Sequence, residues 1–157
     1  MAKIKLTLPE ESLLEISDRG KLAYGCNQAW FPTPWSRGSG CGPAAAANIF
    51  YYLSCTMPAA RALSPFCRED APVERKQFAA YMKKVWKCVT PGIHGINSTD
   101  LLANGMALYA AQAGVSLDLF TLDVKTQQQP MTEEFYRECV DFILAGLSDG
   151  IPVAFLN

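Results

Sequence analysis

Histidine is nearly missing from this chain: His94 is the single imidazole. Six cysteines are present, Cys26, Cys41, Cys55, Cys67, Cys88 and Cys139, but no two form a CxxC pair. A zinc site needs closely spaced thiolates and imidazoles, so neither a metal nor another cofactor is expected. Long apolar runs are absent as well, and none approaches the roughly 20 residues that span a bilayer. Charge of one sign is also lacking. The net charge is -1, so no basic face for nucleic acid is implied. Met1 to Glu15 has neither a long apolar core nor a small-residue cleavage pattern, so it does not read as a signal peptide. Those absences, with the apolar settings of Cys55, Cys88 and Cys139, favour reduced thiols in a cytoplasmic protein with no membrane partner. Most of the thiols then act as small apolar residues.

What remains is an ordinary globular composition. Of 157 residues, 50% are hydrophobic and 18% charged, enough to build one domain around a sizeable core. Ile4, Leu6 and Leu8 alternate and predict a short edge strand. Residues 24–40 read as a loop punctuated by Gly25, Pro32, Pro34, Gly38 and Gly40. Trp30, Phe31 and Trp35 in that loop either pin it to the core or line a groove.

The first clear helix is expected at Cys41 or Gly42. Pro43 fits a first turn, where a missing N–H costs nothing, and Ala44 to Ala47 are strong helix formers. Apolar residues continue through Leu53, which marks a central buried helix. A second helix is expected from about Val73 to Cys88, with Phe78, Tyr81, Met82, Val85 and Trp86 inward and its basic residues in water. Ser98 caps a third helix ending at Gly114; that role is preferred to a glycosylation sequon at Asn97-Ser98-Thr99. Residues 115–124 alternate as a strand would. A fourth helix opens at Thr132-Glu133-Glu134, with acids in its positive first turn, and ends at Ser148-Asp149-Gly150. Residues 151–156 read as a buried strand. Helices first and strands later suggest an α+β fold.

Cys41 carries the most chemistry. A thiolate is the nucleophile, and a helix N-terminus offers it unpaired N–H groups and the positive end of the dipole. Those N–H groups also suit a developing oxyanion. Gly40 and Gly42 remove bulk on either side, which would let a substrate backbone approach. The alternative is an inert cysteine at a tight loop-to-helix junction.

Gln28, followed by Ser39-Gly40-Cys41-Gly42-Pro43 and a run of alanines, resembles the papain-like cysteine peptidase superfamily. The resemblance is closest to the bacterial branch of bacteriocin-leader (double-glycine) peptidases and strongest over residues 24–53. It implies a papain-like α+β fold over residues 1–157 as a single domain. A helical subdomain would hold the central helix from Cys41, beside a small antiparallel sheet left incomplete by missing C-terminal strands. It makes Cys41 the nucleophile and Gln28 the oxyanion donor, with Trp30, Trp35, Gly40 and Gly42 as substrate-groove candidates. The substrate would be a peptide or protein.

The chain departs from that pattern at the base. The family's histidine follows the first core strand, whereas His94 lies between helices. Two accounts stay open: missing strands that carry the base, or a pared-down relative that pairs its last strand in a homodimer. Two functions stay open with them, a thiol hydrolase and a non-catalytic module that binds a peptide or protein partner.

Overall fold

The structure is a computed structural model and describes residues 8–124 and 132–156. The strand expected around Ile4 and Leu6 and the loop at 125–131 lie outside those residues. The architecture is α+β, but the strands do not come where the alternation suggested.

Strand β1 (Glu15–Asp18) turns back on β2 (Lys21–Tyr24) in an antiparallel hairpin. The two turn residues, Arg19 and Gly20, have φ of 55° and 77°. Two left-handed residues match the right-handed twist of the flanking strands. A third strand, β3 (Val73–Glu74), joins β1 in parallel, giving the order β2-β1-β3. Ile16 faces Val73 across that pairing, and both are buried. The sheet is therefore mixed and forms from the N-terminal half, where a C-terminal antiparallel sheet was expected.

Helix α1 (Pro34–Ser39) sits within the expected loop. Thr33 and Ser36 cap it reciprocally, and Pro34 opens it. Helix α2 (Cys41–Thr56) follows at once and is the central element. Pro43, Ala44, Ala46, Ala47, Phe50, Tyr51, Tyr52 and Leu53 are all buried. The small residues of its first half let neighbours approach closely, and the aromatics of its second half fill the core.

Helix α3 (Arg75–Trp86) buries Phe78, Tyr81, Met82 and Val85, the stripe its sequence sets out. It begins two residues later than expected because Val73 is taken by β3. Phe66, Phe78, Tyr81 and Tyr51 pack edge-to-face or stacked, with neighbouring centroids 5.5–6.1 Å apart. Helix α4 (Thr99–Gln112) is capped by Ser98, whose hydroxyl accepts from the Leu101 N–H at 3.1 Å. Tyr81 and Tyr109 both donate to the Leu63 carbonyl, tying α3 and α4 to the turn at Pro58–Leu63.

Helix α5 (Glu133–Ser148) is capped by Thr132 as expected, but none of its residues is fully buried. Its apolar face, with Ile143 and Leu147, meets Ile49 and Tyr52 of α2 across an apolar cavity of about 260 Å³. Residues 115–124 and 151–156 form no strand among the described residues. Phe120 and Phe155 are exposed, and no main-chain hydrogen bond among the described residues reaches 116–124 or 152–156. Apolar alternation reports a face suited to burial. A strand also needs a ladder partner, and here none is supplied.

Candidate functional site

The site is built at the junction of α1 and α2. Gly40 ends α1 and starts α2, with φ -87° and ψ 5° and no side-chain cap. The helical ladder begins with Ala44 N–H donating to the Gly40 carbonyl at 3.0 Å. Pro43 has no N–H. The amides of Cys41 and Gly42 find no partner among the described residues, so two donors stand free beside the Cys41 side chain. Cys41 is exposed, whereas the other five thiols are half-buried, and none of the six is in a disulfide.

Four of the other thiols are held protonated. Burial pushes Cys26 up to about 12, and its Sγ donates to the Ala44 carbonyl at 3.3 Å. Burial likewise raises Cys55 and Cys88. Cys67 is raised chiefly because its thiol donates to the Asp70 carboxylate at 3.0 Å.

Gln28 lies in a short 3₁₀ turn, Gln28–Trp30. Its Nε2 donates to the Arg37 carbonyl at 2.8 Å. That carbonyl belongs to the last turn of α1, where main-chain acceptors lack helical partners. The glutamine therefore caps α1, and its amide is held beside the segment that leads into Cys41.

The two glycines have a structural account. A side chain at Gly40 would meet the Ser36 carbonyl at 2.5 Å and the Phe31 ring at 2.6 Å. One at Gly42 would lie 2.9 Å from Ile96 Cβ and nearer still to Cγ1. Both glycines are buried, so packing against Phe31 and Ile96 suffices to require them. Access for a substrate backbone is not needed to explain either.

The groove aromatics divide. Phe31 is buried and packs edge-on against Trp86, with centroids 4.8 Å apart, so it pins the loop. Trp30 is half-buried and carries the Arg75 guanidinium 5.3 Å over its ring. Arg75 also pairs with Asp18 at 3.0 Å, so it fastens α3 to the hairpin instead of lying free in water. Trp35 touches Trp86 edge-on yet remains 52% exposed. Of the groove candidates, it alone offers a large open apolar face.

His94 sits at the tip of a turn closed by mutual hydrogen bonds between Gly92 and Gly95, at 3.0 and 3.1 Å. It is exposed, and no hydrogen bond among the described residues ties it to Cys41. Ile96, two residues on, rests against Gly42, so the turn is anchored next to the start of α2.

One residue escaped the sequence reading. Asn48 lies on the same face of α2 as Cys41 and Ala44, at the i, i+3, i+7 spacing. Its Oδ1 accepts from the Cys26 N–H at 2.9 Å. A lone amide in a run of apolar residues was the available signal.

Among the described residues, no group of three or more His, Cys, Asp or Glu side chains could hold a metal ion. No described helix is long and apolar enough to cross a membrane. Comparison of the chain with protein-family models, curated proteins and solved structures returns no match.

Proposed function

We propose that this chain is a papain-like thiol hydrolase domain, acting on a peptide or amide bond with Cys41 as nucleophile. The observation that carries the reading is the exposed Cys41 thiol at the first position of the buried central helix, with two unpartnered main-chain amides beside it. In the first step sulfur attacks the carbonyl carbon, and the carbonyl electron pair moves onto oxygen. The Cys41 amide and the Gln28 side chain would stabilise that oxygen. Collapse expels the amine and leaves an acyl-enzyme, which water then hydrolyses.

A base must accept the thiol proton and return it to the amine. His94, the only imidazole in the chain, has no hydrogen bond to Cys41 among the described residues. We therefore expect nucleophilic reactivity from these 157 residues with little turnover. Alkylation with iodoacetamide at pH 6, followed by adduct mapping, tests this. Cys41 should be modified first and faster than a free model thiol. A rate equal to that of the model thiol refutes an activated nucleophile.

The same missing hydrogen bond between Cys41 and His94 among the described residues, together with the open face of Trp35, supports a second reading, a non-catalytic module that holds a peptide. Under that reading a peptide would bind equally well to wild type and to Cys41→Ala, and no adduct with an electrophile would form preferentially at Cys41.

A further inference from the structure

The segment Gly25-Cys26-Asn27-Gln28 is fastened to α2 by two hydrogen bonds and lies close against it at Gly25. Cys26 N–H donates to Asn48 Oδ1 at 2.9 Å, and Cys26 Sγ donates to the Ala44 carbonyl at 3.3 Å. Gly25 has φ +72°, and a side chain there would meet Asn48 Nδ2 at 3.1 Å, so the backbone lies against the asparagine amide. Asn48, Ala44 and Cys41 climb one face of α2. The segment thus starts at Asn48 and meets Ala44 nearer the end of the helix that bears Cys41. Gln28 follows two residues after Cys26 and closes the path by donating to Arg37 O, at the end of α1. Both ends of the glutamine's short segment are then tied to the frame that holds the nucleophile.

We infer that Asn48 is a positioning residue: by accepting the Cys26 amide it sets where the Gln28 side chain stands relative to Cys41. The inference rests on the thiol-hydrolase reading, because Gln28 matters only if an oxyanion forms at Cys41. It assigns Asn48 no contact with substrate. Its side chain acts through the backbone of residues 25–28.

The test separates sulfur reactivity from oxyanion stabilisation. Iodoacetamide alkylates a thiolate without making an oxyanion. N-acetylglycinal, the smallest peptidyl aldehyde, does make one. The sulfur bonds to the carbonyl carbon, the carbonyl π pair moves to oxygen, and the thiol proton ends on that oxygen as a thiohemiacetal. Aldehyde capture is read as protection of Cys41 from iodoacetamide. Wild type should be protected. Asn48→Ala and Gln28→Ala should each weaken protection about 10- to 100-fold, as a misplacement of order 1 Å does. The double variant should be no worse than Gln28→Ala alone, and in Asn48→Ala alkylation without aldehyde should be unchanged. Asn48→Asp keeps an oxygen acceptor for Cys26 N–H and should stay within about threefold of wild type.

Four results count against the inference. If Asn48→Ala captures aldehyde like wild type while Gln28→Ala does not, the positioning role is wrong. If Asn48→Asp fails as Asn48→Ala does, the acceptor is not what positions the segment. If the Asn48→Ala and Gln28→Ala losses add, the two act separately. If wild type gives no protection although Cys41 alkylates, the hydrolase reading itself falls, and the role for Asn48 falls with it.

Discussion

Gly42→Ala distinguishes a glycine kept for packing from one kept for substrate access. The added methyl would lie 2.9 Å from Ile96 Cβ and nearer still to Cγ1. Carbon atoms at rest sit about 3.5–4.0 Å apart, so Ile96 must retreat by roughly 1 Å. It is only 6% exposed and packed in the main core, which leaves it little room to do so. Overpacking of this kind costs about 1–3 kcal/mol. Alanine recovers part of glycine's deficit of about 1 kcal/mol in a helix, though less in the first turn than in the interior. The net loss should be about 1–2 kcal/mol, read as a lower midpoint in urea with an unchanged slope. Ile96→Ala alone should cost about 2–4 kcal/mol, because it leaves a cavity. The double variant should be more stable than the sum of the two losses predicts, by about 1 kcal/mol, since each change makes room for the other. If Gly42→Ala unfolds within about 0.5 kcal/mol of wild type, close to the usual limit of additivity, the packing account is refuted and access for a ligand becomes the better reason for the glycine.

Two further perturbations test the frame around the site. Arg75→Ala removes both the ion pair with Asp18 and the stacking over Trp30. The pair is partly exposed, at 36% and 26% for the two side chains, so it contributes about 0.5 kcal/mol after screening, and the ring contact about as much again. Asp18→Asn should therefore destabilise about half as much as Arg75→Ala, and equal losses would show that Trp30 contributes nothing. Cys26 supplies a pH test. Its folded thiol is pushed up to about 12 from an ordinary value of 9.0. Below pH 9 both folded and unfolded states keep the proton, and the stabilisation is fully present. Above pH 9 the unfolded chain releases it first, so stability falls toward pH 12 by up to about 1.4 kcal/mol per unit. Cys26→Ser keeps a donor to Ala44 but does not titrate in this range. The advantage of wild type over that variant, measured by denaturant unfolding under reducing conditions, should shrink between pH 9 and 10.5. A constant difference would show that the thiol is not held protonated by burial.

Local chemistry was legible in the sequence, and long-range pairing was not. Helices α4 and α5 begin where their own residues say, at Ser98 and Thr132, because a cap is satisfied within one turn of chain, and α2 begins at Cys41-Gly42-Pro43, where a proline suits the first turn. Helix α1 passed for loop because it is six residues long and dense in proline, glycine and serine. The hairpin was hidden for another reason. Its strands are four residues each, and Leu22 and Tyr24 point their bulk into water, which spoils the apolar alternation that marks a strand. Residues 115–124 and 151–156 fail in the opposite direction. The first alternates well and the second is a continuous apolar run, but a strand is a property of two segments, and the partner is not encoded in the segment itself.

The same division runs through the site. Cys41 was readable because its setting is four consecutive residues at a helix start. Gly40 and Gly42 were noticed for their spacing, yet their cause lies elsewhere in the chain, in Phe31 and Ile96. Gln28 is the sharpest case. Its separation from Cys41 in sequence says nothing of its placement, which depends on a bond to Arg37 and on an asparagine 20 residues further along the chain. An exposed thiol at a helix start is common enough to be inert. The loop ahead of this one is tied down at Asn48, Ala44 and Arg37, all within the two helices that meet at Cys41. The tether uses a left-handed backbone at Gly25, which glycine adopts freely, and a polar side chain midway along the central helix.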